Sequence, residues 1–181
     1  MGVLFAFLYW RYELGWELAM VALYCSLFAV LLIIDLEHQI LPNKIVYSGM
    51  LFASILAVVV TVIPLVTGLQ VKSAIVPSLS SAAIGGAIGF VLLLIPALIY
   101  SGGMGWGDVK LAGLIGLVAG FPLVLVAMFL AIVSGGIVAA ILLLLRKKGR
   151  KDAIPFGPFL SMAAIVALLW GNNLLNILGF S

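Results

Sequence analysis

Two aspartates stand where a hydrophobic chain carries charge least easily. Asp35 closes the run 17–35 (ELAMVALYCSLFAVLLIID), and Asp108 opens the run 109–121 (VKLAGLIGLVAGF). A charge inside a membrane segment costs about 2.5–3.5 kcal/mol on insertion scales, and such residues usually line a working cavity. Two carboxyls brought within a few ångströms of each other cannot both ionise, so they share a proton. One can then act as base on a water while the other protonates the carbonyl oxygen or leaving nitrogen of a scissile amide. That is the chemistry of aspartic proteolysis. The plain alternative is that each acid only marks the end of a span. A proton- or ion-coupled transporter using the same acids is the competing function, but it would place them near mid-membrane and repeat a broken helix in both halves. No such repeat is visible.

The neighbours of each acid bear on these readings. Before Asp108 the chain runs Gly102-Gly103-Met104-Gly105-Trp106-Gly107. Glycines at this density disfavour helix and allow positive φ and close backbone approach, as a re-entrant turn presenting one carboxyl would need. After Asp35 comes Leu36-Glu37-His38-Gln39-Ile40-Leu41-Pro42-Asn43, in which Pro42 breaks a helix and Asn43 can cap the next. Glu37 and His38 could be imagined as metal ligands with Asp108. Helix neighbours point about 100° apart, so three convergent ligands would need an unwound backbone, and no metal is expected. Glu37 is read instead as a solvated or substrate-contacting acid. Lys110 lies about 200° round a helix from Asp108, which disfavours an ion pair.

Asp35 and Asp108 need elements to hold them. The chain has 181 residues, 66% apolar and 8% charged, with a mean hydropathy of +1.39. Soluble domains run at about half apolar and about a quarter charged, so an all-α bundle of membrane-spanning helices is expected. Apolar runs fall at 17–35, 44–66, 78–100, 109–121, 122–145 and 156–178. At about 1.5 Å per residue, five of them can cross a hydrocarbon core of about 30 Å. The 109–121 run reaches only about 20 Å, so its helix must begin around 103–107 or be partly re-entrant. Residues 1–16 read as a partial N-terminal helix and connector, the start suggesting a truncated or minimal form, and 17–181 as a six-helix membrane core. Trp10, Tyr12 and Trp16 suit an interface. The glycines of Ile84-Gly85-Gly86-Ala87-Ile88-Gly89 and Gly113, Gly116 and Gly120 have the spacing of close helix packing. Pro64, Pro77 and Pro96 kink or end helices. A single cysteine, Cys25, excludes a disulfide framework, and a net charge of +3 is too small to suggest nucleic acid.

Six spans counted from residue 17 put 36–43, 101–108 and 146–155 on one face. Lys44, Lys110, Arg146, Lys147, Lys148, Arg150 and Lys151 fall there, seven of the nine basic residues, against Arg11 and Lys72 on the other. Positive charge marks the cytoplasmic side, and the RKKGRK run at 146–151 both sets topology and suits contact with anionic lipid.

Three segments together, DLEHQILPN at 35–43, GMGWGDVKLAG at 103–113 and IPFGPFLSMAA at 154–164, resemble the type IV prepilin peptidases, polytopic aspartic proteases with a GxGD motif. The resemblance covers about 17–178. It implies that Asp35 and Asp108 are the catalytic pair, needing no cofactor beyond a water. Gly105 and Gly107, within the GxGD, are expected to shape the site. So are Pro155, Phe156, Gly157 and Pro158, which could hold a substrate strand beside the pair or simply start a helix. Substrates implied are prepilins or pseudopilins, whose apolar helix arrives from the bilayer while a short basic leader stays in the cytoplasm. The cut commonly falls between a glycine and a hydrophobic residue such as phenylalanine. The inner membrane, with a cytoplasm-facing site, is the implied location. Many members also carry paired Cys-x-x-Cys motifs and methylate the new N-terminus; this chain has no such pairs, and no residue is assigned to methyl transfer.

Overall fold

The computed structural model describes residues 2–12, 15–67, 75–99, 105–145 and 156–177. Each apolar run becomes a helix: α1 Gly2–Arg11, α2 Trp16–His38, α3 Asn43–Thr67, α4 Leu79–Ile99, α5 Trp106–Ala119, α6 Leu123–Leu144 and α7 Gly157–Ile177. No strand occurs among the described residues. Without water, backbone N–H and C=O groups must be satisfied within the segment, which leaves helices as the only open-ended way across. Among the described residues five helices, α2, α3, α4, α6 and α7, are long and apolar enough to cross a bilayer. The chain is a polytopic helical membrane bundle.

The sixth expected span differs from the rest. α5 has fourteen residues, about 21 Å. Val109, Leu111, Ala112, Gly113, Leu114, Ile115, Gly116, Val118 and Ala119 are all buried. Beyond its first turn, with Lys110 and Leu117 half-buried, α5 is covered nearly all round, as a core helix is. α3, α4, α6 and α7 surround it, so α5 has no bilayer thickness of its own to match. Outward-facing apolar side chains sit instead on its neighbours, among them Leu51 and Ile55 on α3, Val91 and Ile95 on α4, and Phe129 and Ile137 on α6. These form the surface that meets lipid.

The expected glycine packing joins α4 to α5. A Cβ at Gly85 would run into the Gly116 carbonyl oxygen and lie 2.8 Å from Gly120 Cα, and one at Gly89 would meet Ala112 backbone. The two helices therefore touch backbone to backbone. Their far ends are tied together: Ser81 Oγ donates to the Phe121 carbonyl at 2.8 Å, and Phe121 N–H donates to the Ser81 carbonyl at 3.1 Å. Gly120 turns the chain there at φ 70°, where a side chain would also strike Pro77.

Pro64 and Pro96 lie inside the last turns of α3 and α4, and Pro77 precedes α4. α1 lies against the bundle, with Leu8 packed among Val21, Cys25, Ile75 and Leu169, and the Phe7 ring 5.3 Å from Trp170. Trp10 and Trp16 are exposed, as interface rings would be. The RKKGRK run and Pro155 lie outside the described residues.

Candidate active site

The two aspartates come from opposite kinds of helix end. Asp35 sits in the last turn of α2, which Gln39 closes in the left-handed conformation (φ 53°) with its N–H on the Asp35 carbonyl at 3.0 Å. Asp108 sits in the first turn of α5, where its N–H donates to the carbonyl of the capping residue Gly105 at 3.0 Å. α7 starts beside both, at Gly157.

Gly157 shows how close the acids come. A Cβ placed on it would lie 2.9 Å from Asp35 Cγ and 3.3 Å from Asp108 Oδ1. Both carboxyls border the volume of one missing methyl group, and the two atoms are no farther apart than the sum of those distances. Residues far apart in the chain thus meet at one point at the bundle's end. The Asp108 carboxylate lies beside the backbone N–H groups of Gly105 and Gly157, at the starts of α5 and α7. These are groups that a helix leaves unpaired at its start, where the dipole favours negative charge. Asp35, by contrast, is at a helix C-terminus and 4% exposed, and its Oδ2 is buried without a protein partner. Two carboxyls with a gap between them, one anchored by N–H groups, can hold a water and share one proton.

The other expected site residues divide. Gly107 lies inside α5, and a Cβ there would press on Leu41 at 3.1 Å, so the glycine admits the segment that follows Asp35. Gly105 caps α5 in extended conformation (φ −73°). The positive φ expected of these glycines is not used at either described position; among the described residues only Gln39 and Gly120 adopt it. Close approach is what these positions need. Phe156 is half-buried and Pro158 is buried in the first turn of α7, where proline's fixed φ suits a helix start. Glu37 is exposed and faces His38 at 3.9 Å, outside the pair. Asn43 does not spend its side chain on a cap. Its Oδ1 accepts from Lys110 Nζ at 3.0 Å, and that ammonium lies 5.1 Å from the centre of the Tyr47 ring. Lys110 points away from Asp108, as its spacing suggests. Among the described residues no cluster of three metal-ligating side chains occurs.

One residue escaped the motif reading. Ser161 is fully buried with its hydroxyl unpartnered, one helical turn after Gly157 on α7. The hydroxyls of Ser26, Ser54, Thr61 and Ser134 all donate back to the carbonyl four residues earlier. The i+4 spacing from Gly157 was the available signal.

Two acids from distant parts of the chain, at the ends of two helices, thus border one small volume. The profile of the type IV leader peptidase family matches residues 22–140, and the chain belongs to that family. A prepilin leader peptidase/N-methyltransferase of Stutzerimonas stutzeri is 30% identical over 96% of this chain and 57% of its own. Proteins of that name from Pseudomonas putida (32%, 94% of this chain and 58% of its own) and Bacillus subtilis strain 168 (28%, 92% and 61%) are also similar. The chain spans a little over half the length of these relatives. No solved structure matches it. Family membership leaves the transporter reading of the two acids without support.

Proposed function

We propose that this protein is a membrane aspartic endopeptidase that removes a short basic leader from prepilin-like substrates at the cytoplasmic face of the inner membrane. The observation that carries it is the convergence of Asp35 and Asp108 on Gly157. A water between the carboxyls loses a proton to one as it attacks the amide carbon. The other acid gives a proton to the carbonyl oxygen, and collapse to products releases the leader as a carboxylic acid and the remaining chain as an amine. No metal is required by this scheme. The substrate's apolar helix stays in lipid, and the basic face expected of 36–43, 101–108 and 146–155 sets the site toward the cytoplasm. Methyl transfer, which the relatives' name includes, is not part of this reading.

The test is leader removal from a prepilin in membranes holding Asp35→Asn or Asp108→Asn protein. Each variant should insert at normal levels and cleave at background rate. Cleavage retained in either one overturns the two-acid mechanism.

A further inference from the structure

Asp35 and Asp108 meet at Gly157, yet the helices that carry them share chiefly one neighbour. Among the described residues α2 packs along α1 and α7, whereas α5 packs along α3, α4, α6 and α7. α7 therefore joins the two acids on one side. On the other side they are joined by the turn 39–43 and the start of α3, where one pair of side chains closes the link. We infer that Lys110 and Asn43 form a clasp that holds the start of α5, and with it Asp108, in register with Asp35. The inference rests on the proteolytic reading above and adds two positioning residues to it, which act through Asp108 and not on the reacting bond.

The connection can be followed from one acid to the other. Gln39 N–H donates to the Asp35 carbonyl at 3.0 Å, which fixes where the chain leaves α2. Two residues on, Leu41 is buried where a Cβ on Gly107, the neighbour of Asp108, would meet it at 3.1 Å. The Pro42 carbonyl then accepts from Ile45 N–H at 3.0 Å and from Val46 N–H at 3.2 Å, so the turn runs without slack into α3. Asn43, the first residue of α3, accepts from Lys110 Nζ at 3.0 Å. Tyr47, four residues along the same face, lays its ring 5.1 Å from that ammonium. On α5, Asp108 N–H is bonded to the Gly105 carbonyl, and a Cβ on Gly105 would lie 3.6 Å from Asp108 Oδ2. The carboxyl rests against its own helix start, so moving that start moves the carboxyl.

Lys110 and Asp108 are the only charged residues of α5. A lysine that merely marked the cytoplasmic side would extend into water. Lys110 instead turns to α3, where both its hydrogen bond and its ring contact lie, and a charged donor makes the stronger kind of hydrogen bond. The Leu41–Gly107 contact is apolar and can slide. A directed hydrogen bond resists sliding, so Lys110 sets the register.

The experiment uses the full chain in membranes and single-turnover cleavage of a prepilin at saturating concentration, normalised to folded protein. Lys110→Met and Asn43→Ala should each lower the rate at least about tenfold with KM unchanged, since a misplacement of about 1 Å can cost about 10²-fold. The double variant should be no slower than the slower single one, because both remove the same bond. Asn43→Asp, which keeps an oxygen acceptor at the same reach, should cleave at close to the wild-type rate. Wild-type cleavage by Asn43→Ala overturns the clasp, and so does Asn43→Asp as slow as Asn43→Ala. Losses that multiply in the double variant, a loss in KM alone, or one that vanishes per folded molecule overturn it equally. If Lys110→Met does not insert, the contrast between Asn43→Ala and Asn43→Asp decides in the same way. Cleavage surviving in Asp35→Asn or Asp108→Asn would instead sink the proteolytic reading itself, a separate result.

Discussion

The acid pair owes its geometry to a residue with no side chain. With Asp35 Cγ 2.9 Å from its missing methyl, Gly157 cannot become even alanine without pushing a carboxyl aside. Gly157→Ala should insert and fold yet lose about 10²-fold in leader removal, the scale expected when a reacting group shifts by about 1 Å. Single-turnover cleavage in membranes measures it, with membrane abundance as the control. Ser161 makes the opposite prediction. Removing a buried hydroxyl that has no partner is neutral or stabilising, so Ser161→Ala should hold or raise the apparent Tm in detergent, whereas a drop would reveal a hydrogen bond that the hydroxyl makes. The aspartates were legible in the sequence because charge is scarce here and each one interrupts an apolar run. Asn43 was not legible, because an amide after a proline fits a helix cap as well as it fits the Lys110 ammonium it actually meets. Local pattern cannot choose between partners that only tertiary structure supplies.

Among the elements, α4 and α5 are the pair on which everything else leans. Their backbones touch at Gly85, Gly89 and Gly116, and a side chain at any of these must separate the helices. Overpacking costs about 1–3 kcal/mol in ordinary cores and more where the obstacle is backbone. Gly116→Leu should therefore lower the yield of monodisperse protein sharply, while Gly136→Leu, with open space at its Cβ, should leave it unchanged; size-exclusion profiles in detergent decide. Helix limits were legible to within a few residues because hydropathy changes abruptly at span ends. The enclosure of α5 was not. In the sequence its length is a deficit, to be met by an earlier start or by re-entry, and the helix does begin at Trp106. What lets it stay short is cover by four neighbours, a property of packing that a one-dimensional hydropathy count does not contain.

At the scale of the molecule, a single thiol reports on integrity. Cys25, the only cysteine, is fully buried where α1, α2 and α7 meet. Maleimide should fail to label it in the native protein and label it once denaturant or heat opens that junction, so labelling followed by mass spectrometry gives an unfolding curve without added probes. Rapid labelling of native protein would show that α1 does not hold its place on the bundle. The jacketed position of α5 has a consequence for where such a protein can work. Outer helices tilt when lipid tails lengthen or shorten, but a short helix packed against four neighbours has little to re-match, and the carboxyl it carries keeps its depth relative to the bundle. Turnover in vesicles of short and long acyl chains should accordingly vary little, leaving one design serviceable in bilayers of differing thickness.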